Sequence, residues 1–544
     1  MRIHAFIVML CATLSLSAQN VTGRITCKGK GVPNVVVSDG YELTKTNQAG
    51  YYELRSLKQN GYVFYTLPSG YEPEVKNGFY PMFWAPLTED TNTREEHNFQ
   101  LKKVKNKNHY MVAGADSHLA ARMNDLTQFR NGFLESLKRE IKKAGKTPIY
   151  STILGDLAWD TYWYKNNYGP KHLMQTLTDE GYPIILFPVI GNHDNNGAIP
   201  AGKDCDFLSS GMFRKVICPN YYSYNLGEVH YVVLDDIYYK NTETGGKYNK
   251  GIVGSRDYDA YITPTQFNWL RKDLEQVDKE TPIIVGVHIP VWNLRQNTFE
   301  VFPSLTSHNN ENSSEALCEL LKDFKQVLII SGHTHYNYHA HPEAYPNIHE
   351  NNIAAICATW WTTGELSGRH ICKDGSPGGY ELFTIRGKDI KWQYHSTEKN
   401  GDVQFRLYDM NKVKEFYQTD ETMKAILKKY DNRLDYGSIG DNLILLNVFN
   451  YDTDWKIEVK ENGISLPIKR VTTEDPLHTL AYDVPKFKAD GVYGTGSAAG
   501  KTSHIFFIQA STATDDVNVR VTDSFGQVYT SKFHRPAPFT IEIP

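Results

Sequence analysis

Little in this sequence points to a membrane or to nucleic acid. Seven cysteines in 544 residues are too few for a scaffold that depends on disulfides. After Leu16 no apolar run reaches the roughly 20 residues needed to cross a bilayer, so no transmembrane segment is expected. A formal charge of −4, from 58 basic and 62 acidic side chains, gives no overall basic surface. Nucleic acid is therefore not an expected partner, although nucleotides stay open as substrates. The Lys-rich LKKVKNKN at 101–108 is brief enough to be a solvated linker. Repeats and low-complexity tracts are absent. What is present is globular: 40% hydrophobic residues in a chain too long for one core, which predicts about three domains.

Residues 1–19 read as an export signal. Arg2 precedes an apolar run from Ala5 to Leu16, and small residues follow to Ala18, where cleavage leaves Gln19 or Asn20 first. The alternative is a buried N-terminal strand. Cys11 lacks the small residues that usually precede a lipidated cysteine, so the mature chain is expected in the periplasm or outside the cell. Six cysteines then remain: Cys27, Cys205, Cys218, Cys318, Cys357 and Cys372. They allow fifteen pairings. Cys205 with Cys218 and Cys357 with Cys372 would close short loops, and free buried thiols are the equal alternative.

Five segments carry the chemistry: AGADSHLA, ILGDLAWD, VIGNHDNN, VGVHIP and ISGHTHY. In four of them a short β-branched or aliphatic run leads directly into a polar cluster, as when a strand delivers side chains to the edge of a sheet. Ligands in open α/β sheets bind beyond the carboxyl ends of the strands, so these ends are expected to converge on one crevice. They present Asp116, His118, Asp156, Asn192, His288, His333 and His335. Such a set can hold two metals about 3.5–4 Å apart, which together neutralise an anion, activate a water and stabilise a leaving oxygen. Imidazole and oxygen donors without thiolate suit Mn, Fe or Zn better than Ca or Mg.

The order D-x-H, G-D, G-N-H-D, H, G-H-x-H resembles the calcineurin-like metallophosphoesterases, over about Asn108 to Ser396. The resemblance implies a dinuclear centre of two divalent ions whose bridging hydroxide attacks a small-molecule phosphate ester. It implies that Asp156 bridges, that Asp116, His118 and His335 serve one metal, and that Asn192, His288 and His333 serve the other. It also implies that His193 faces the substrate as hydrogen-bond donor or general acid. Related phosphatases often orient that imidazole with a carboxylate three residues beyond the bridging Asp. Here Trp159 stands in that place, with Asp160 next as the candidate partner. Trp159 also excludes the purple acid subclass, which has a metal-binding tyrosine there. Asp194 is expected to hold its own loop. His230, His308, His339, His341 and His349 stand outside the motifs and read as residues making local hydrogen bonds.

The expected fold is α/β, a four-layer αββα metallophosphoesterase sandwich flanked by two β-sandwich domains. Residues 20–104 carry the short strands NVTGRITC, NVVVSDG and AGYYELRS between Gly, Asn and Asp turns. They resemble the carboxypeptidase-regulatory-type sandwich found on exported enzymes. Residues 105–400 alternate strand and helix: Leu126, Phe129, Phe133, Leu137 and Ile141 recur at helical spacing up to Gly145. A second helix is expected in TPTQFNWLRKDLEQV, among the strands VHYVVLDD, PIIVGVH and QVLIISGH. Residues 401–544 predict helical pieces around DETMKAILKKY, then strands such as NLILLNVFN, DWKIEVKENG and SHIFFIQAS. This region resembles the C-terminal domain that accompanies exported phosphoesterases of this type.

Rings near the motifs, namely Trp159, Tyr162, Trp163, Tyr164, Tyr168, Trp360 and Trp361, can stack on a substrate or pack a domain interface. Cations near the motifs are few, Arg295 being the nearest on the C-terminal side. That balance tilts the expectation slightly toward small phosphodiesters over monoesters. The competing reading is a non-catalytic glycan-binding or surface-interaction protein on a phosphoesterase scaffold, distinguished by metal content and turnover.

Overall fold

The computed structural model describes residues 19–242, 254–295, 298–305, 312–368, 370–398, 403–419, 421–428, 435–490 and 498–541. The export segment up to residue 18 and His308 lie outside the described residues. Two sheets stack at the centre. In the first, Asn108–Gly114 pairs in parallel with Ile149–Ile153 and antiparallel with Gly379–Arg386, which pairs in turn with Asp389–Ser396. The second has six strands, ordered Tyr222–Leu226, Val229–Val233, Ile283–Gly286, Val327–Ser331, Ile348–Asn352 and Tyr338–Ala340. Its four inner strands are parallel and its two edges antiparallel. Every residue of Val229–Val233, Ile283–Gly286 and Val327–Ser331 is buried. A parallel strand covered on both faces has no solvent side, which is why these segments read as unbroken apolar runs.

Helices close the outer faces and complete the αββα arrangement. The first runs through Asp125–Phe129, a π-helical turn at Arg130–Leu134, and Glu135–Ala144. It ends where Gly145 turns to φ +62°, as its sequence predicts. Phe129, Phe133 and Leu137 are buried beneath it, and Phe133 meets the ring of Tyr380 at 5.7 Å. Phe133→Ala would cost about 3–5 kcal/mol through the cavity it leaves. On the second sheet, Pro264–Leu274 starts with Thr263 as cap, its side chain accepting from the Gln266 amide, and with Pro264 in the first turn. Trp269 on this helix is buried against Phe64 and Tyr221.

The two flanking units are both two-sheet sandwiches. The N-terminal one sets Val21–Cys27 and its neighbours against the sheet that holds Tyr62–Tyr65. It shares one continuous core with the catalytic sheets, fastened where Tyr221 donates to Gly40 O (2.8 Å) and Arg214 to Asn60 O (2.6 Å). The C-terminal one has two four-stranded sheets that include Leu443–Val448, Thr502–Gln509, Lys456–Glu461 and Val517–Thr522. The helix expected around DETMKAILKKY is Glu421–Lys428. Buried polar contacts tie this unit to the catalytic one: His504 to Asp374 (3.2 Å), Asn447 to Asp374 O (3.0 Å), and Asn450 to Glu381 (2.9 Å). No helix among the described residues is long and apolar enough to cross a membrane.

Candidate metal centre

All seven expected ligand positions come together where strands end. Asp116 follows Asn108–Gly114, Asp156 follows Ile149–Ile153, His288 follows Ile283–Gly286, and His333 and His335 follow Val327–Ser331. Asn192 opens a short 3-10 turn after a segment bridged to the first sheet at Leu154–Val189. Five of the seven hold left-handed backbone: Asp116 (φ 54°), His118 (41°), Asp156 (50°), His333 (68°) and His335 (60°). Side-chain-bearing residues keep that conformation only when their surroundings enforce it. The loops enforce it on each other. His118 N donates to Asp156 O (2.8 Å), His333 N to Asp116 Oδ2 (2.8 Å), and His193 N to Asp156 Oδ1 (2.8 Å). Gly155, at φ +79°, packs so closely on His288 that a Cβ there would overlap the imidazole.

Two groups of donor atoms share one oxygen. His118 Nε2 lies 3.3 Å from His335 Nε2, 3.5 Å from Asp156 Oδ2 and 3.7 Å from Asp116 Oδ1. His288 Nε2 lies 3.4 Å from the same Asp156 Oδ2, 3.0 Å from Asn192 Oδ1 and 3.1 Å from His333 Nδ1. Backbone carbonyls set two of the tautomers. His288 Nδ1–H donates to Leu154 O and His335 Nδ1–H to Ala358 O, both at 2.8 Å, which turns each Nε2 lone pair inward. Asp116 Oδ1 is buried without a hydrogen-bond donor. Converging lone pairs plus an orphaned carboxylate oxygen fit divalent cations, and the nitrogen–oxygen set fits Mn, Fe or Zn.

The charges point the same way. Burial pushes His333 and His335 down to about 3 and His118 well below the ordinary imidazole value, so all three are neutral and able to ligate. Burial, reinforced by the Asp156 charge, pushes Asp116 up to about 7. Burial opposes the charge on Asp156, yet His288 and His193 hold it well below the carboxylate range. Burial opposes a charge on His288, yet Asp156 pushes it up to about 10, so the positive charge that the buried carboxylates demand falls on that proton, and a divalent ion would take its place.

His193 stands beside these groups and turns its ring to Asp160, with Nδ1 2.8 Å from Asp160 Oδ1. Arg256 completes the cluster, pairing with Asp160 through Nε and reaching Asp160 Oδ1 (2.7 Å) and His193 Nδ1 (3.1 Å) through its terminal nitrogen. Asp194 accepts from the amides of Leu157, Ala158 and Gly191, which fixes its loop as the sequence suggests.

The expectation of a cation-poor site does not hold. Arg256 and Lys373 reach the rim from loops outside the motifs, and Arg122 from just beyond the first motif. Arg122 lies 4.9 Å over the Trp159 ring and 5.3 Å over Tyr162, and Lys373 lies 5.6 Å from Trp360 and 5.0 Å from Tyr336. Arg295 instead pairs with Glu300 (3.1 Å). Trp159 and Trp360, 6.4 Å apart, flank the histidines: Trp360 is 4.5 Å from His335, and Trp159 is 5.1 Å from His118 and 5.7 Å from His193. Trp163, Tyr168 and Trp361 are buried and serve packing. Sequence reasoning also missed Tyr258, whose hydroxyl is 3.5 Å from His333 Nε2, and Cys357, whose sulfur is 4.0 Å from His335 Nδ1. Cys205, Cys218, Cys357 and Cys372 are free thiols, so neither short-loop pairing forms.

Comparison with known families matches three models. Residues 112–337 match calcineurin-like phosphoesterase, 19–104 match the N terminal of calcineurin-like phosphoesterase, and 350–529 match its C terminal. A comparison with curated proteins finds no match. Among solved structures, PhoD is similar at 10% identity over 77% of this chain and 84% of its own, with a TM-score of 0.34. GAP50 of the Plasmodium inner membrane complex is similar at 15% identity over 54% and 87%, TM-score 0.30. A 5'-nucleotidase from Candida albicans follows at 11% identity over 54% and 52%, TM-score 0.28. Scores this low say nothing of substrate.

Proposed function

The chain belongs to the calcineurin-like phosphoesterases, metal-dependent hydrolases of phosphate esters, and from that premise we propose an exported enzyme that uses two divalent ions, Mn, Fe or Zn, to cleave small phosphate esters, diesters slightly favoured over monoesters. The observation that carries the dinuclear reading is the position of Asp156 Oδ2, 3.5 Å from His118 Nε2 and 3.4 Å from His288 Nε2. One carboxylate oxygen is thereby available to both donor groups. Asp116, His118 and His335 would hold one ion, and Asn192, His288 and His333 the other, with Asp156 between them. Bound there, the ions would neutralise the phosphate and activate water.

The protein's own groups do the rest. His193 carries a proton on the substrate side of Asp156, and Asp160 orients its ring through the 2.8 Å contact at Nδ1. Nε2 is then the atom that donates to the phosphate or to the departing alkoxide. Trp159 and Trp360 exclude water and offer flat faces to an organic substituent. Arg122 and Lys373, set over those rings, suit a diester whose second arm carries negative charge. Export and a periplasmic or secreted location rest on Arg2 and the Ala5–Leu16 run, and the proposed division of the chain is 1–19, 20–104, 105–400 and 401–544. The test is a panel of phosphomonoesters and phosphodiesters assayed with Mn, Zn, Fe and chelator. Absence of any metal-restored hydrolysis would reject the proposal.

A further inference from the structure

A second cluster of metal-ligating side chains lies at the seam between the catalytic sheets and the C-terminal sandwich. His339 sits on the edge strand Tyr338–Ala340, with His341 just beyond it. His349 comes from the neighbouring strand Ile348–Asn352, and Asp452 follows Leu443–Val448 of the C-terminal unit. His339 Nδ1 is 3.1 Å from His349 Nε2, and His349 Nε2 is 3.7 Å from Asp452 Oδ2. His341 Nε2 is 2.8 Å from Asp452 Oδ1 and 3.1 Å from Oδ2. Ligand atoms around a tetrahedral ion at about 2.0–2.1 Å stand roughly 3.3 Å apart, and these separations bracket that value.

The surroundings prepare His339 as a ligand. Its Nε2 faces the carbonyl of Asn450 at 3.3 Å, an acceptor that requires the ring proton on that nitrogen. Nδ1 is then a bare lone pair, directed at His349 Nε2 and, at 3.0 Å, at Asn351 Oδ1. The Asn351 amide donates its Nδ2–H to Glu381 (2.8 Å), which leaves the oxygen on the His339 side. Two electron-pair donors thus face each other in a place where Asn351 is fully buried and His339 and Asp452 are nearly so. A cation held by His339 Nδ1, His349 Nε2 and the Asp452 carboxylate would satisfy these donors together. A carbonyl holding the outer ring nitrogen is also the usual support of a metal-bound histidine. Beside the cluster is a cavity of about 420 Å³ lined by Leu294, Phe299, Tyr451 and Ser503, so an ion can reach it from solvent.

We propose that His339, His341, His349 and Asp452 form a zinc site, separate from the catalytic centre, that fastens the C-terminal sandwich to the catalytic unit. His339, His349 and Asp452 converge within reach of one ion, and His341, 2.8 Å from Asp452, would close the fourth position of a tetrahedral shell, as in a structural site. Three ligands belong to the catalytic unit and one to the C-terminal unit, so the ion crosses the seam.

Full-length protein, stripped with chelator and reloaded with zinc chloride, is measured for zinc per chain beside Asp452→Asn and His341→Ala. Each variant is expected to hold one zinc fewer than the parent while keeping hydrolysis within about twofold, since the two sites share no ligand. The His341 side chain is 48% exposed, so its removal leaves the core intact and covers the case in which Asp452→Asn does not fold. Reloading with Co²⁺ should give a parent-minus-variant difference spectrum with intense tetrahedral bands. Equal zinc content in parent and variants overturns the proposal, as does a difference spectrum with only weak octahedral bands. A wrong reading of the catalytic centre would change the total in parent and variants alike and leave the difference of one untouched.

Discussion

Asp160 lies 2.8 Å from the Nδ1 of His193, one position later than the place where related phosphatases carry their orienting carboxylate. A helix explains the offset. Asp160 opens Asp160–Lys165, which points its carboxylate back at the GNHD loop while Trp159, before the helix, turns toward His118. Burial lowers the His193 pKa, but Asp156 and Asp160 together hold it above the ordinary imidazole value.

His193→Ala is therefore expected to keep its metals and lose about 10²–10⁴ in kcat. Asp160→Asn should act through the imidazole: removing the charge lowers the His193 pKa, so the limb of the pH–rate profile set by its protonated form moves to lower pH. Elemental analysis and pH–rate profiles of both variants check this, and full turnover in metal-replete His193→Ala would reject the role.

Asp156→Ala should abolish activity and deplete both ions, because one carboxylate serves two donor groups. Asp116→Ala should empty mainly one. Retention of two metals in purified Asp156→Ala would remove the bridging assignment.

Ester class is read from kcat/KM in one buffer with the native metal. Bis-p-nitrophenyl phosphate or a natural diester should at least match p-nitrophenyl phosphate, and Trp360→Ala should raise KM for aromatic diesters about 3- to 10-fold, the scale of an exposed ring contact. A preference of more than about tenfold for the monoester over every diester tried would sink the diester reading.

Far from the site, His109 is fully buried with Nε2 2.7 Å from Tyr231 OH and Nδ1 2.9 Å from Asn106 O, and burial pushes it down to about 4. The folded state refuses a proton that the unfolded chain accepts at about 6.5, so the stability His109 contributes is complete above that pH and is lost as the pH falls toward 4. Between pH 7 and pH 5 the parent should lose about 2 kcal/mol more than His109→Gln in urea unfolding. Parallel losses in the two proteins would show that His109 protonates freely when folded.

Much of this was legible because it is local. A strand followed by D-x-H or G-H-x-H states both the element and its cargo, and the 3.6-residue spacing of Phe129, Phe133 and Leu137 gives the helix that covers them. Arg256, Lys373 and Tyr258 were not legible, since they reach the centre from segments far along the chain from any motif; Arg122, four residues after His118, was in view but nothing in its spacing aims it at the Trp159 ring. The same blindness applies to the second histidine cluster. His339 and His341 stand two residues apart at a strand end, a local hint, but the Asp452 that makes them a set lies over a hundred residues on, in another unit.

The left-handed backbone at Asp116, His118, Asp156, His333 and His335 has a consequence for how the enzyme acquires its ions. Each such residue costs on the order of 1–3 kcal/mol, a strain that bound ions would offset. In the exported enzyme proposed above, these loops would take their ions in the compartment where folding ends. Metal identity would then record the inventory of that compartment more than the intrinsic affinity order of the donors. Protein recovered from its native compartment and protein folded in a cytosol should differ in metal content, and identical content in the two preparations would refute this.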